Sequence, residues 1–170
     1  VGEGVDHILP GGLDHILFVL ALFLSSTTSR SLVIQISVFT LAHTITLGLA
    51  ATGVISPPSD IVEPLIALSI ALVAIENLFF KKPPRWRPIV IFLFGLLHGL
   101  GFAGFFGELG LPEGQFWSAL IGFNIGVEIG QLSVIILAIA VLSVWRWRNN
   151  IEYTDVVYRR FMILPGSLLI

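Results

Sequence analysis

The chain has 170 residues, 55% hydrophobic and 12% charged, with a mean hydropathy of +0.95. Soluble domains average roughly 45–50% apolar and about 25% charged residues, so this composition excludes a large soluble catalytic domain. A net charge of -2, with no basic run outside the connections, leaves no electrostatic footprint for nucleic acid. The absence of cysteine excludes disulfides and thiolate metal sites, and a single methionine, Met162, argues against a thioether copper site. Any bound metal must be held by His, carboxylate or amide groups.

The expected fold is all-α, a polytopic transmembrane helical bundle forming a single transmembrane domain over residues 1–170 in a lipid bilayer. After an outer segment at 1–10, apolar runs predict spans near 11–25, 32–54, 60–80, 88–107 and 115–145, and a sixth over 157–170. That last span has only about 14 residues against the roughly 20 needed to cross, so it is expected to continue beyond Ile170. Breakers separate the runs: Ser25-Ser26-Thr27-Thr28-Ser29, Ser56-Pro57-Pro58-Ser59-Asp60, Lys81-Lys82-Pro83-Pro84 and Gly110-Leu111-Pro112-Glu113-Gly114.

All nine Lys and Arg fall in alternate connections: Arg30, then Lys81, Lys82, Arg85 and Arg87, then Arg146, Arg148, Arg159 and Arg160. Short cytoplasmic loops collect such residues, so the N-terminus is expected outside, as in a protein of the bacterial inner membrane. Trp86, Trp145 and Trp147 beside the basic residues fit an aromatic belt at the headgroups. An outside N-terminus with no signal peptide ahead of it implies an exported or removed segment before Val1.

A charge at the centre of a helix costs about 2.5–3.5 kcal/mol on insertion scales, which makes every ionisable residue in a span a functional candidate. Here these are Asp14 and His15 in the first span, His43 in the second, Glu63 and Glu76 in the third, His98 in the fourth and Glu128 in the fifth. At about 1.5 Å rise per residue, His15, His43 and His98 come out near one level at the midplane. Three imidazoles from three helices at one depth point to a shared site; a proton relay and polar packing are the alternatives. Asp14 is either a direct ligand or the acceptor that orients an imidazole. In the fifth span Asn124, Glu128 and Gln131 share one helical face, while Gly122, Gly126 and Gly130 share the opposite one. The glycine face suits close helix packing and is a candidate homo-oligomer surface.

Asp6-His7-Ile8-Leu9 recurs as Asp14-His15-Ile16-Leu17 around Pro10-Gly11-Gly12, which places His7 at the outer mouth of the bundle. Glu63 is either an entrance carboxylate or part of a helix start, with Pro64 in the first turn. Glu76 and Asn77 mark either an exit or a solvated inner interface. Glu128 is a candidate ligand, proton acceptor or general base, or a protonated carboxyl bonded to Asn124 or Gln131.

Five segments occur in order that resemble the HupE/UreJ family, closest to its second branch. They are Gly-Gly-Leu-Asp-His-Ile-Leu-Phe at 11–18, Phe-Thr-Leu-Ala-His-Thr-Ile-Thr-Leu at 39–47 and Val-Glu-Pro-Leu-Ile-Ala-Leu-Ser at 62–69. Phe-Gly-Leu-Leu-His-Gly-Leu-Gly-Phe-Ala at 94–103 and Phe-Asn-Ile-Gly-Val-Glu-Ile-Gly-Gln-Leu at 123–132 complete the set. The family is regarded as nickel or cobalt permeases associated with hydrogenase and urease maturation. The resemblance implies a divalent-metal membrane protein with Asp14, His15, His43 and His98 as its metal residues.

Two functions from different classes use these residues. The first is a permease for a divalent transition-metal ion such as nickel, cobalt or zinc. In it His7, Glu63, Glu76, Asn124, Glu128 and Gln131 lie along the ion path or support the ligands. The second is an intramembrane zinc hydrolase, with three His ligands, a water in the fourth position and Glu128 or Asp14 as general base. A metal-sensing or partner-docking membrane subunit is a third role open to the same polar groups.

Overall fold

Leu9-Pro10-Gly11-Gly12 splits the first apolar stretch in two, and this break shapes the outer end of the bundle. The computed structural model describes residues 1–26, 28–80, 82–102, 114–148 and 163–170. Among them all regular structure is helical: α1 (Gly2–Ile8), α2 (Leu13–Ser25), α3 (Ser29–Ala51), α4 (Ser59–Phe79), α5 (Arg87–Gly101), α6 (Phe116–Arg148) and α7 (Leu164–Leu169). Helices α1 and α2 meet at 73°. Residues 1–8, expected as an outer segment, therefore form a helix folded back onto the bundle. A Cβ on Gly12 would collide with the carbonyl of His7, so the bend requires glycine there.

Local chemistry sets the remaining ends. Thr28 caps α3 by accepting from the Ser31 amide at 3.2 Å. Gly53, at φ 74°, lets the chain leave α3 through the left-handed region. Pro88 stands in the first turn of α5, where its missing N–H costs no helical bond. Helix α4 begins at Ser59, one position before the expected start, so Pro64 lies in its second turn and not its first.

Three helices are long and apolar enough to cross a bilayer, over Ser29–Ala51, Ser59–Phe79 and Phe116–Trp145, and the bent α1–α2 pair makes a fourth if it counts as one span. The described residues do not confirm the six separate spans expected from the sequence. Alone, the 15 residues of α5 reach only about 22 Å at 1.5 Å each, short of the roughly 30 Å hydrocarbon core. The expected extension of the fourth span past 102, the 110–113 connection, Arg159, Arg160 and the start of the sixth span lie outside the described residues.

The interior keeps an apolar core that includes Phe18, Leu22, Ile36 and Leu47, but the exterior is unlike that of a soluble protein. Large apolar side chains are exposed along α3 (Val33, Leu41, Ile45), α4 (Leu65, Leu72, Phe79) and α6 (Ile125, Ile136, Val141). Meanwhile Gln35, Thr40, Ser69, Asn77, Asn124 and Gln131 are buried. An apolar belt of this extent is the surface a lipid bilayer covers.

Glycine seams let the helices approach. A Cβ at Gly95 would strike the Phe39 carbonyl of α3, and one at Gly99 the His43 carbonyl and Thr46 hydroxyl. Thr46 Oγ1 in turn donates to the Leu96 carbonyl at 2.6 Å. On α6, Gly126 and Gly130 face α1: added carbons there would meet the Val1 carbonyl and the Ile8 side chain. This corrects the expectation that Gly122, Gly126 and Gly130 form an oligomer surface, because the chain's own first helix covers that face. Glycine spacing marks close approach but does not say which helix approaches.

Gly126→Ala is expected to lower the thermal unfolding temperature in detergent and expose α1 to protease, overpacking costing about 1–3 kcal/mol. Gly122→Ala, whose new carbon would sit 3.8 Å from Val1, is expected to behave as wild type. Equal behaviour of the two variants in limited proteolysis would contradict this packing.

Candidate metal centre

The α1–α2 bend and the α3–α5 glycine seam converge on the four histidines. His7 ends α1, His15 stands in the first turn of α2, His43 lies within α3 and His98 in the last turn of α5. Ring centroids are 4.7 Å apart for His7–His15, 5.6 Å for His15–His43, 5.3 Å for His15–His98 and 6.2 Å for His7–His43. One ligand atom from each of His7, His15 and His43 lies within 4.8 Å of the others. His15, His43 and His98 are at most 1% exposed.

Hydrogen bonds fix three of the rings. His98 Nδ1 donates to the Phe94 carbonyl at 2.8 Å, an acceptor that can only receive a proton. His15 Nδ1 is 3.2 Å from Asp14 Oδ1. His43 Nδ1 is 3.1 Å from Asn124 Oδ1, and that amide is oriented by its Nδ2 donating to the Leu120 carbonyl at 2.8 Å. Each acceptor places the ring proton on Nδ1 and leaves the Nε2 lone pair free. The Nε2 atoms of His7, His15, His43 and His98 are all buried without a hydrogen-bond partner. Buried polar atoms are normally satisfied, and neutral imidazoles anchored through one nitrogen with the other lone pair open are the form in which histidine binds a metal ion.

An aromatic wall surrounds these lone pairs. Phe39 has ring centroids 5.7 Å from His15 and 5.0 Å from His98, Phe18 lies 5.4 Å from His98, and Phe102 lies 3.7 Å from His7. Apolar rings keep out competing water and lower the local dielectric. Sequence reasoning passed over this wall, because phenylalanine in a span is ordinary; the signal was Phe39 placed one turn before His43 and Phe94 before His98.

The other predicted residues go to different places. His7, expected at the outer mouth, joins the cluster because α1 folds inward. Asp14 touches His15 and keeps its side chain 40% exposed, so it links the cluster to the surface. Asn124 holds His43, while Gln131 accepts from Thr40 at 3.0 Å and Glu128 from Ser37 at 2.5 Å. These three side chains form a polar seam between α6 and α3. Glu63 is exposed on α4. Glu76, expected in a solvated or exit position, is buried and pairs with Arg87 at 3.1 Å. Asn77 donates to the Ala21 carbonyl at 2.8 Å and to Ser167 at 3.3 Å, tying α4 to α2 and α7. Among the described residues the group with metal-ligating spacing is His7, His15 and His43, with none of these carboxylates in it.

An apolar exterior around polar helix contacts and a buried imidazole cluster define a helical integral membrane protein. The chain belongs to the HupE / UreJ protein family, whose model matches residues 1–170. No curated protein and no solved structure matches it.

The Glu76–Arg87 pair and the histidines are separate features, and substitution is expected to separate them. Glu76→Ala leaves Arg87 buried without its counter-charge, which costs about 3–5 kcal/mol, and should lower the unfolding temperature without changing metal affinity in the folded fraction. A selective loss of metal binding at unchanged stability would give Glu76 a place on the ion path.

Proposed function

We propose that this chain is a permease for a divalent transition-metal ion, which it takes as substrate on the Nε2 atoms of His7, His15, His43 and His98. The observation that carries this is the four buried Nε2 atoms without partners, three of them on rings whose Nδ1 is already committed. Imidazole suits nickel, cobalt, zinc and copper(II), and membership in the family agrees with nickel or cobalt as cargo. Asp14 serves two ends: it orients His15, and its part-exposed carboxylate attracts a hydrated cation toward the cluster. The distribution of Lys and Arg along the sequence supports an inner-membrane setting with the N-terminus outside.

The competing hydrolase needs three ligands, an open fourth position and a free base. Here His98 presents a fourth lone pair, Asp14 is bonded to His15, and Glu128 is bonded to Ser37. Transport is therefore the function the arrangement supports best.

Detergent-purified protein stripped by chelator should rebind nickel or cobalt reversibly, at about one equivalent per chain, and carry it into proteoliposomes. His15→Ala and His43→Ala should each weaken binding by about 10-fold or more, and Asp14→Asn by less, as expected for an orienting acceptor. Affinity should fall on acidification, since a protonated imidazole has no lone pair for the ion. Unchanged affinity in the His variants would overturn the site. Tightly held zinc without uptake would turn the assignment to the hydrolase.

A further inference from the structure

Well apart in sequence from the histidines, the starts of α3 and α5 face one another across a cleft of about 340 Å³, walled by Arg30, Ser31, Gln35, Pro83, Arg85 and Arg87. Two helix N-termini end here, so their positive dipole ends add to the arginines. Arg30 and Arg85 are exposed, whereas Arg87 is only 2% exposed. Its Nη1 faces Glu76, but Nε and Nη2, the edge that offers two parallel N–H groups, have no hydrogen-bond partner. Glu76 offsets one of the three positive charges and leaves a surplus of two. On the same wall, Gln35 donates its amide to the Ser31 carbonyl at 3.0 Å, which leaves a buried Oε1 without a donor.

The cleft thus carries on its walls two exposed cations, a buried arginine with an unpartnered Nε/Nη2 edge, and a glutamine with one orphan acceptor. We propose that it binds a phosphate-bearing group that also carries a hydroxyl or ammonium donor. Two phosphate oxygens match the Nε/Nη2 edge of Arg87, Arg30 and Arg85 hold the charge from the rim, and the donor satisfies Gln35. The group is either an anionic lipid headgroup such as phosphatidylglycerol or a free phosphate. The exposed Trp86 and the apolar surface of Ile34 and Ile89 beside the cleft place it at headgroup level.

The test uses the full chain in mild detergent, compared with an Arg30→Gln/Arg85→Gln variant in which both changes are on exposed side chains. Native mass spectrometry after incubation with phosphatidylglycerol or phosphatidylcholine reports lipid retention, and thermal unfolding with millimolar inorganic phosphate reports the free anion. Preferential retention of phosphatidylglycerol, reduced about fivefold or more in the variant, supports a headgroup site. Stabilisation by phosphate that the variant loses, without lipid preference, supports a free-phosphate site. Equal retention of the two lipids with no phosphate effect overturns the proposal, as does a preference the variant retains.

Discussion

Inside a bilayer no water is present to satisfy a polar group, so each buried donor and acceptor must find its partner within the protein. The described helices meet this demand closely along their seams. Asn124 and Gln131 bond across to α3, Asn77 reaches the backbone of α2, and Thr46 bonds the backbone of α5. Against that background the histidine Nε2 atoms stand out as a group, because four of them lie on neighbouring rings, whereas the other unpartnered buried atoms, on Gln35, Glu76, Asn77, Arg87 and Gln131, belong to side chains outside that cluster. The lone pairs of His15, His43 and His98 cannot satisfy one another. Only a shared donor or a cation resolves the conflict, and the aromatic wall favours an ion that sheds its water.

Convergence depends on backbone proximity more than on the histidines themselves. Gly95 and Gly99 bring α5 onto α3, while Gly4, Gly126 and Gly130 bring α1 onto α6. Were either seam filled by methyl groups, the added carbons would overlap the Phe39 and His43 carbonyls on one seam and the Val1 carbonyl and Ile8 side chain on the other, pushing the helices apart. The inward fold of α1 also explains why His7 takes part: the 73° break at Pro10-Gly11-Gly12 returns the end of α1 to the start of α2. The duplicated Asp-His-Ile-Leu element becomes two sides of one corner.

Helix class, the membrane setting and the shared level of His15, His43 and His98 were legible in the sequence, because periodicity and polarity report them directly. The α1 helix was not, since a seven-residue helix broken by proline and paired glycine carries no span signal. Glu76 read as interfacial because its partner Arg87 read as a loop cation; only the packing of α4 on α5 shows the two as one buried pair. Asp14 and His15, being adjacent, left ligand and orienting acceptor undecided in the sequence, and the 3.2 Å contact of the carboxylate with Nδ1 supports the orienting role. The glycines of α6 gave the right property, close approach, and the wrong partner.

The charge of the donor set bears on what a site of this composition can do with an ion. Imidazoles are neutral ligands, so four of them leave a divalent cation with its full charge, and the adjacent Asp14 offsets only one unit from outside the ligand set. A dry interior penalises the remaining charge. Structural zinc sites avoid this cost with thiolates, which this chain does not have. Conduction needs binding strong enough to take an ion from water and weak enough to give it up. On the proposed reading, directional imidazole bonds would supply the first requirement and the incompletely neutralised charge would contribute to the second.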